Sequence, residues 1–482
     1  MAVIKRRDAT DAADFEEAVW GRHIFNRRRD TSRVPFAVCE AETAADVVAC
    51  VEFAKQHNTR VSVRSGGHSW AAWSVRHGAV LVDLIYLDQK EGEWGGEFSY
   101  DPVTKIVSAP PSASGRELNE FLAEKTDAED GKSRWFPGGH CPDVALGGFL
   151  LQGGMGWNCK NWGWACEAIV GIDVVTADAK QLHCSATTNP DLFWAAKGAG
   201  PGFPAIVTRF HLQTRPLETL YQSLYFFPLS DFQAVFRWVS AAAPSADPLT
   251  EIVVVTSHFA IDDFESPMVL ANFLTFQPTD DAAQNALSAL TDAMPDTLTP
   301  IMAIDCEETD LDTQYAMQTQ ANPEDYRYCV DNVYVSNDVA DIPALLEPAF
   351  TSLPSKQSAA LWFAMNPTSR RPLSDMALSM QSDHYVSLYA VWEDEASDEN
   401  CVGWVRNSMK TLERSSVGSY LGDADFQARR TKFWSEEAGK RLKEVRKKWD
   451  PEGRICGYLD EGDKSGAEGL RNEFEWEVGT EL

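Results

Sequence analysis

The sequence predicts an α+β protein of two domains, the first assembled from both ends of the chain and the second a large sheet with helices on one face. Three observations lead there. At 482 residues the chain exceeds the size that one hydrophobic core usually serves. Its first part reads as short alternating strands and helices, and beyond residue 214 longer strand-like runs take over. A final amphipathic segment returns to the first domain. The boundaries follow as 1–214, 215–428 and 429–482.

Taken in order, "TAADVVACVEFAKQHN" sets Val47, Val48, Val51 and Phe53 at helical spacing, with Thr43 as the cap. "RVSVRS" alternates as a strand, "GAVLVDL" is a second, and "KIVSAP" leads into the helix-like "SGRELNEFLAEK". Next come a helix-like "PDLFWAAKG", a glycine and proline break, and the strand "FPAIVTRFHLQT". In the inserted domain "EIVVVTSHFA", "MVLANFLTFQ" and "HYVSLYAVWED" are strands, separated by helical stretches such as "DDAAQNALSAL". That alternation predicts a large sheet with helices on one face. Near the end "FWSEEAGKRLKEVRKKWDPEG" places Leu442, Val445 and Trp449 on one helical face, and Pro451 stops it. The last two dozen residues are acidic and read as a solvated tail.

Composition narrows the function. A net charge of −29 opposes binding to polyanions, which excludes nucleic acid and anionic membrane as partners. No run of about 18 apolar residues is long enough to span a bilayer. The charged N-terminus lacks the apolar core of a signal peptide, so a cytoplasmic location is expected. Ten cysteines in a chain of this kind read as buried thiols. None falls in a CxxC pair or a zinc spacing, and no structural metal is expected.

Two glycine-bearing stretches carry the chemistry. In "VRSGGHS" a strand ends on Gly66 and Gly67, which can take positive φ and turn successive N–H groups into one concavity. Such a concavity binds phosphate. In "FPGGHCPDVALGGFLLQGGMGW" three glycine pairs surround a single thiol, Cys141. Repeated glycines strip side chains from a surface and let a broad planar ligand, such as a flavin ring, lie against backbone.

With "IDVVTADAK" and "PDLFWAAKGAGPGFPAIVTRF" following in order, the sequence resembles the FAD-linked oxidases of the vanillyl-alcohol oxidase, PCMH-type fold, in their berberine-bridge-enzyme-like branch. The resemblance is strong over residues 35–215 and weak beyond, and it implies that the second domain is inserted into the first as an antiparallel sheet covered by helices. It implies that Arg64, Ser65, Gly66, Gly67, His68 and Ser69 hold the FAD pyrophosphate, with His68 bonded to the flavin 8α-methyl carbon. Cys141 occupies the position that bonds flavin C6 in bicovalent members. The same resemblance assigns Gly138, Gly139, Pro142, Gly147, Gly148, Gly153, Gly154, Gly156 and Trp157 to the flavin surface. It lays Ile169, Ile172, Val174, Ile206 and Val207 along the cofactor. Val144 stands where the family places a gate to dioxygen, and a small valine there resembles the oxygen-reactive members. His140 reads as a packing residue.

The expected activity is oxidation of a small-molecule alcohol, a carbohydrate or a secondary metabolite, by covalent FAD that dioxygen reoxidises with release of hydrogen peroxide. Oxidative cyclisation, a dehydrogenase with another acceptor, and a non-catalytic flavin-binding protein are the alternatives. Two departures from the family bear on the base. Trp70 stands where relatives carry a tyrosine, and an indole donates a hydrogen bond but accepts no proton near neutrality. The family's C-terminal motif is replaced by "PEGRICGYLDEGD". Candidates for the base are therefore Tyr420, in "SVGSYLGDADF", and Tyr385 or Tyr389, which share one face of "HYVSLYAVW". A free phenol titrates near 10, so holding one as a base near pH 7 costs roughly 4 kcal/mol and requires a partner such as His384 or Arg370.

Overall fold

The computed structural model describes residues 3–21, 24–87, 97–127, 131–261, 265–457 and 472–476. Three larger sheets organise these residues. In the first, the strands Ala37–Glu40, Val80–Asp83 and Val61–Arg64 run parallel, with Val3–Arg6 antiparallel at the edge. The helix Ala44–Gln56 carries the chain from Ala37–Glu40 over to Val61–Arg64, on the far side of Val80–Asp83. The Thr43 hydroxyl accepts from the Asp46 N–H, and the Asp46 carboxylate accepts from the Thr43 N–H, so two donors at that helix end are satisfied reciprocally. Val47 and Val51 are buried against this sheet.

The second sheet is antiparallel throughout, in the order Ser99–Asp101, Ile106–Ala109, Ala205–Gln213, Ile169–Thr176 and Gln181–Cys184. The third has eight antiparallel strands, ordered Met302–Thr309, Thr219–Pro228, Met268–Gln277, Thr250–Ser257, Ala359–Ala364, His384–Trp392, Arg327–Val335 and Ser416–Gly418. Period-two alternation gives this sheet two apolar faces. One, with Phe227, Ile252, Val254, Phe273 and Trp362, is buried under the helices Phe232–Ala242, Asp280–Thr291, Ile342–Phe350 and Asp398–Leu412. The other looks toward the first domain.

The last strand of the large sheet ends at Gly418, ahead of the expected boundary at 429, but the chain keeps its contacts with that domain beyond it. Arg429 is buried within that domain, pairing with Asp331 and Glu413, and the return begins with the helix Glu436–Trp449. Leu442 and Val445 are buried, and the Trp449 indole donates to Asp191 at 2.9 Å. Ile455 then bridges in parallel to Val61. Most of the acidic tail lies outside the described residues. Residues 472–476 rest on the large-sheet side, where Glu475 pairs with Arg406 at 2.5 Å. None of the ten cysteines is in a disulfide. Among the described residues, no helix is long and apolar enough to cross a membrane. Asp173, His183 and His211 form one group with metal-ligating chemistry, in which each imidazole hydrogen-bonds to the carboxylate.

Candidate active site

A cavity of about 750 Å³ opens between the first domain and the uncovered face of the large sheet. Both glycine-bearing stretches line it. From the first come Arg64 through Ser69, and from the second Gly139, Cys141, Val144, Gly147, Gly148 and Trp157. Ile206 and Val207 complete this side. Gly67 has φ +77°, the left-handed conformation that glycine takes without strain. A Cβ at Gly66 would come within 2.6 Å of Ala145, and one at Gly147 within 2.2 Å of Ser65 Oγ. The two stretches therefore touch through their glycines, which brings His68 and Cys141 to one cavity.

Several residues expected on the cofactor do other work. The Arg64 side chain is buried and engaged with protein, donating to Val19 O at 2.8 Å, to Ala18 O at 2.7 Å and to Asp83, so it ties the strand end to the N-terminal helix. Ile169, Ile172 and Val174 are buried in the core of the first domain and do not line the cavity; their strand is the next in the sheet beside the strand of Ile206 and Val207, which do. Gly138, Pro142, Gly153, Gly154 and Gly156 lie behind the cavity wall. A Cβ on Gly156 would come within 2.2 Å of the Pro137 carbonyl oxygen, so this glycine permits backbone to cross backbone. Sequence reading missed Gly200, Pro201 and Phe203, which line the cavity from within a quoted motif, and Ile455 and Cys456 from the divergent C-terminal segment.

The tyrosines converge, with roles other than those expected. The Tyr420 hydroxyl accepts from the N–H of Gly154 at 3.1 Å and of Met155 at 3.0 Å, pinning the glycine loop. Tyr385 does not line the cavity; its hydroxyl donates to Asp423 Oδ2 at 2.5 Å. Tyr389 lines the cavity and also donates to Asp423, as does the Trp70 indole. Burial holds all three phenols well above their ordinary range, which makes them donors at neutral pH. The suggested helpers are engaged elsewhere, Arg370 with Asp383 and His384 with the Trp362 indole.

Asp423 is the group that sequence reading left out. It lines the cavity, and burial raises its carboxyl above the usual carboxylate range against the opposing effect of its hydrogen-bond donors and of nearby His140. His140 itself bonds Glu251 Oε1 at 2.9 Å and packs on Trp157 with ring centroids 4.3 Å apart. Burial pushes the His68 imidazole down to about 4, with Phe25 stacked on it at 4.9 Å. Burial, with the Asp423 and Asp143 carboxylates, pushes the Cys141 thiol up to about 12.

These residues fit an FAD. The glycine surface leaves room for a planar ring, and Ser62 Oγ is buried on the cavity wall with no protein partner, ready for a polar ligand atom. Comparison with known proteins agrees. Residues 35–185 match the family described as an FAD binding domain. The FAD-linked oxidoreductase ptmO of Penicillium ochrochloron is 36% identical over 452 residues, covering 93% of this chain and 95% of the relative. NodO of Hypoxylon pulicicidum, also an FAD-linked oxidoreductase, is 37% identical over 458 residues, covering 94% of this chain and 96% of the relative. The carbohydrate oxidase of Microdochium nivale is 34% identical over 211 residues, 43% of this chain and 39% of that one. Among solved structures, BBE-like 1 of Physcomitrella patens superposes with a TM-score of 0.78 at 16% identity, over 95% of this chain and 96% of that chain. The Acremonium strictum glucooligosaccharide oxidase does so with 0.76 at 19%, over 95% of each. The chain thus belongs to the FAD-linked oxidoreductases, FAD-dependent enzymes built on the PCMH-type fold of the berberine-bridge-enzyme-like oxidases.

Proposed function

We propose that this enzyme is an alcohol oxidase whose FAD is tethered through His68 and Cys141, with Asp423 as the acceptor of the substrate hydroxyl proton. The observation that carries the reading is the meeting of these three groups, from distant parts of the chain, on one cavity. When bound, FAD supplies the two-electron acceptance, and dioxygen returns it to the oxidised form with release of hydrogen peroxide. Val144 lines the same cavity, and its small side chain supports the reading of dioxygen as the acceptor.

The protein groups suit their tasks. With its imidazole pushed down to about 4, His68 is neutral at pH 7 and keeps a ring-nitrogen lone pair for bond formation. Cys141, held near 12, is a thiol at that pH and must lose its proton before it bonds. The tether at Cys141 therefore forms faster as pH rises, and the one at His68 does not. Asp423, raised by burial, is a stronger base than an exposed carboxylate, and Tyr385, Tyr389 and Trp70 aim it.

Acid-precipitated wild-type protein keeps its yellow colour in the pellet, and the double variant His68→Ala, Cys141→Ser releases it. Peroxide appears with an alcohol substrate under air. A pellet that stays yellow in the double variant, or flavin bleaching without peroxide in air, overturns the tethering or the oxidase assignment respectively.

A further inference from the structure

We infer that Asp173, His183 and His211 form a binding site for a divalent transition-metal cation of the zinc class, on the outer face of the second sheet and apart from the flavin cavity. The three come from adjacent strands, with Ile169–Thr176 in the middle and Gln181–Cys184 and Ala205–Gln213 on its two sides. Their ligand atoms all lie within 4.8 Å of one another. Strand pairing makes this cluster, and a bulge completes it. Val207 pairs with Val174 but Arg209 with Asp173, so Thr208 is an extra residue in its strand. One extra residue turns every later side chain to the opposite face. Phe210 and Leu212 therefore enter the core, and His211 swings outward to Asp173. Gly171, opposite His211 on the middle strand, leaves both rings their room: a Cβ there would lie 3.0 Å from His183 Cε1 and 3.3 Å from His211 Cδ2.

Two imidazole nitrogens and one carboxylate are a donor set that suits zinc, copper and nickel, whereas magnesium and calcium take oxygen ligands. His183 Nδ1 lies 2.7 Å from Asp173 Oδ1 and His211 Nε2 lies 3.0 Å from Asp173 Oδ2, so both rings aim a nitrogen at the same carboxylate. Ligands held at about 2.1 Å around one ion stand about 3.4 Å apart, and rotations of about 1 Å in these half-buried and exposed side chains close the site to that spacing. His211 is also held from behind. Ser108 Oγ lies 2.7 Å from its Nδ1 and accepts that proton when Nε2 is on the ion, which fixes the ring and the tautomer. The neighbouring cation on this face, Arg209, is engaged by the Glu97 carbonyl at 2.9 Å. His183 is exposed, so water reaches the remaining coordination positions. A net charge of −29 adds a field that draws cations in. An ion here ties together three strands, one of which carries Ile206 and Val207 to the cavity.

The test takes tag-free holoenzyme, stripped with EDTA and dialysed, titrates it with zinc chloride by calorimetry, and follows its thermal midpoint in zinc or magnesium. Wild type should take up one zinc ion with Kd on the order of micromolar, and its midpoint should rise with zinc but not with magnesium. His183→Ala, on the edge strand, should weaken zinc binding at least tenfold and Ser108→Ala several-fold. His57→Ala, at an exposed imidazole outside the cluster, should leave it unchanged. One equivalent of copper(II) on wild type should show coupling to two imidazole nitrogens in its paramagnetic resonance, a readout that depends on no variant folding. No zinc uptake at millimolar concentration, uptake undiminished in His183→Ala, equal stabilisation by magnesium, or a copper signal from thiolate ligands would each overturn the site.

Discussion

At the scale of single residues, Asp423 separates what a sequence discloses from what a fold creates. His68 and Cys141 could be singled out because the glycine-bearing stretches around them resemble the motifs of a known family, and both line the one cavity. Asp423 lies in "GDADF", a loop without pattern, and gains its character only when Tyr385, Tyr389 and Trp70 close on it from a strand and a loop far away. The tyrosines were visible as a shared strand face, but a phenol's direction of proton donation depends on its neighbour. Asp423→Asn should lower kcat at least a hundredfold while the protein stays yellow, since the amide keeps the shape but takes no proton. The pH profile gives an independent check. The carboxyl must be ionised to act, so kcat/KM falls as pH falls through its titration. Removing the Tyr389 hydroxyl takes a donor from the charged form, and a hydrogen bond to a charged group contributes about 1.5–3 kcal/mol. Tyr389→Phe should therefore move the acid limb upward by about 1–2 pH units. An acid limb that stays in place, with activity surviving in Asp423→Asn, would put the base elsewhere.

At the scale of elements, most strands and helices could be read because local patterns agree with their burial. The helix capped by Thr43, the strand Ala205–Gln213 and the closing helix Glu436–Trp449 all occur at or near the segments their periodicity indicates. The glycines divide in a way the sequence hides. "GGHCPDVALGGFLLQGGMGW" looks uniform, yet Gly148 faces open space within the cavity while Gly156 lies against the Pro137 and Gly138 carbonyls. A methyl group at Gly156 would have to push backbone, not a movable side chain, and overpacking of that kind costs about 1–3 kcal/mol. The displaced backbone leads straight to Cys141. Gly156→Ala should lower the thermal midpoint and lose the cysteinyl tether, leaving flavin held at His68 alone, as peptide mapping would show. Gly148→Ala meets nothing within 4 Å and sits in a helix, so its fold should be as stable as wild type. Equal loss of stability in both variants would contradict this division.

At the scale of the whole molecule, the cavity is a seam where three parts of the chain meet, and a cofactor bound there would touch all of them. The N-terminal part supplies Ser65–Ser69, the large sheet supplies Phe226, Leu270 and Leu361, and the returning C-terminal segment supplies Ile455 and Cys456. Arg446 secures that return by donating to the carbonyls of Gly202 at 2.7 Å and Ile455 at 3.0 Å. A ligand at such a seam stabilises the folded state by mass action when it is free to leave, by about 1.4 kcal/mol for each tenfold rise in its concentration above Kd. A tethered ligand is different, because unfolding does not release it and its effective concentration is fixed by the chain. The thermal midpoint of wild-type holoenzyme should therefore be indifferent to added FAD. In His68→Ala, Cys141→Ser the same cavity binds FAD reversibly, and the midpoint should climb steadily as FAD is raised from micromolar to millimolar. Differential scanning measurements at matched protein concentration distinguish the two. A wild-type midpoint that climbs in parallel with the double variant's would mean the flavin dissociates on unfolding, and the covalent reading of both residues would fall together.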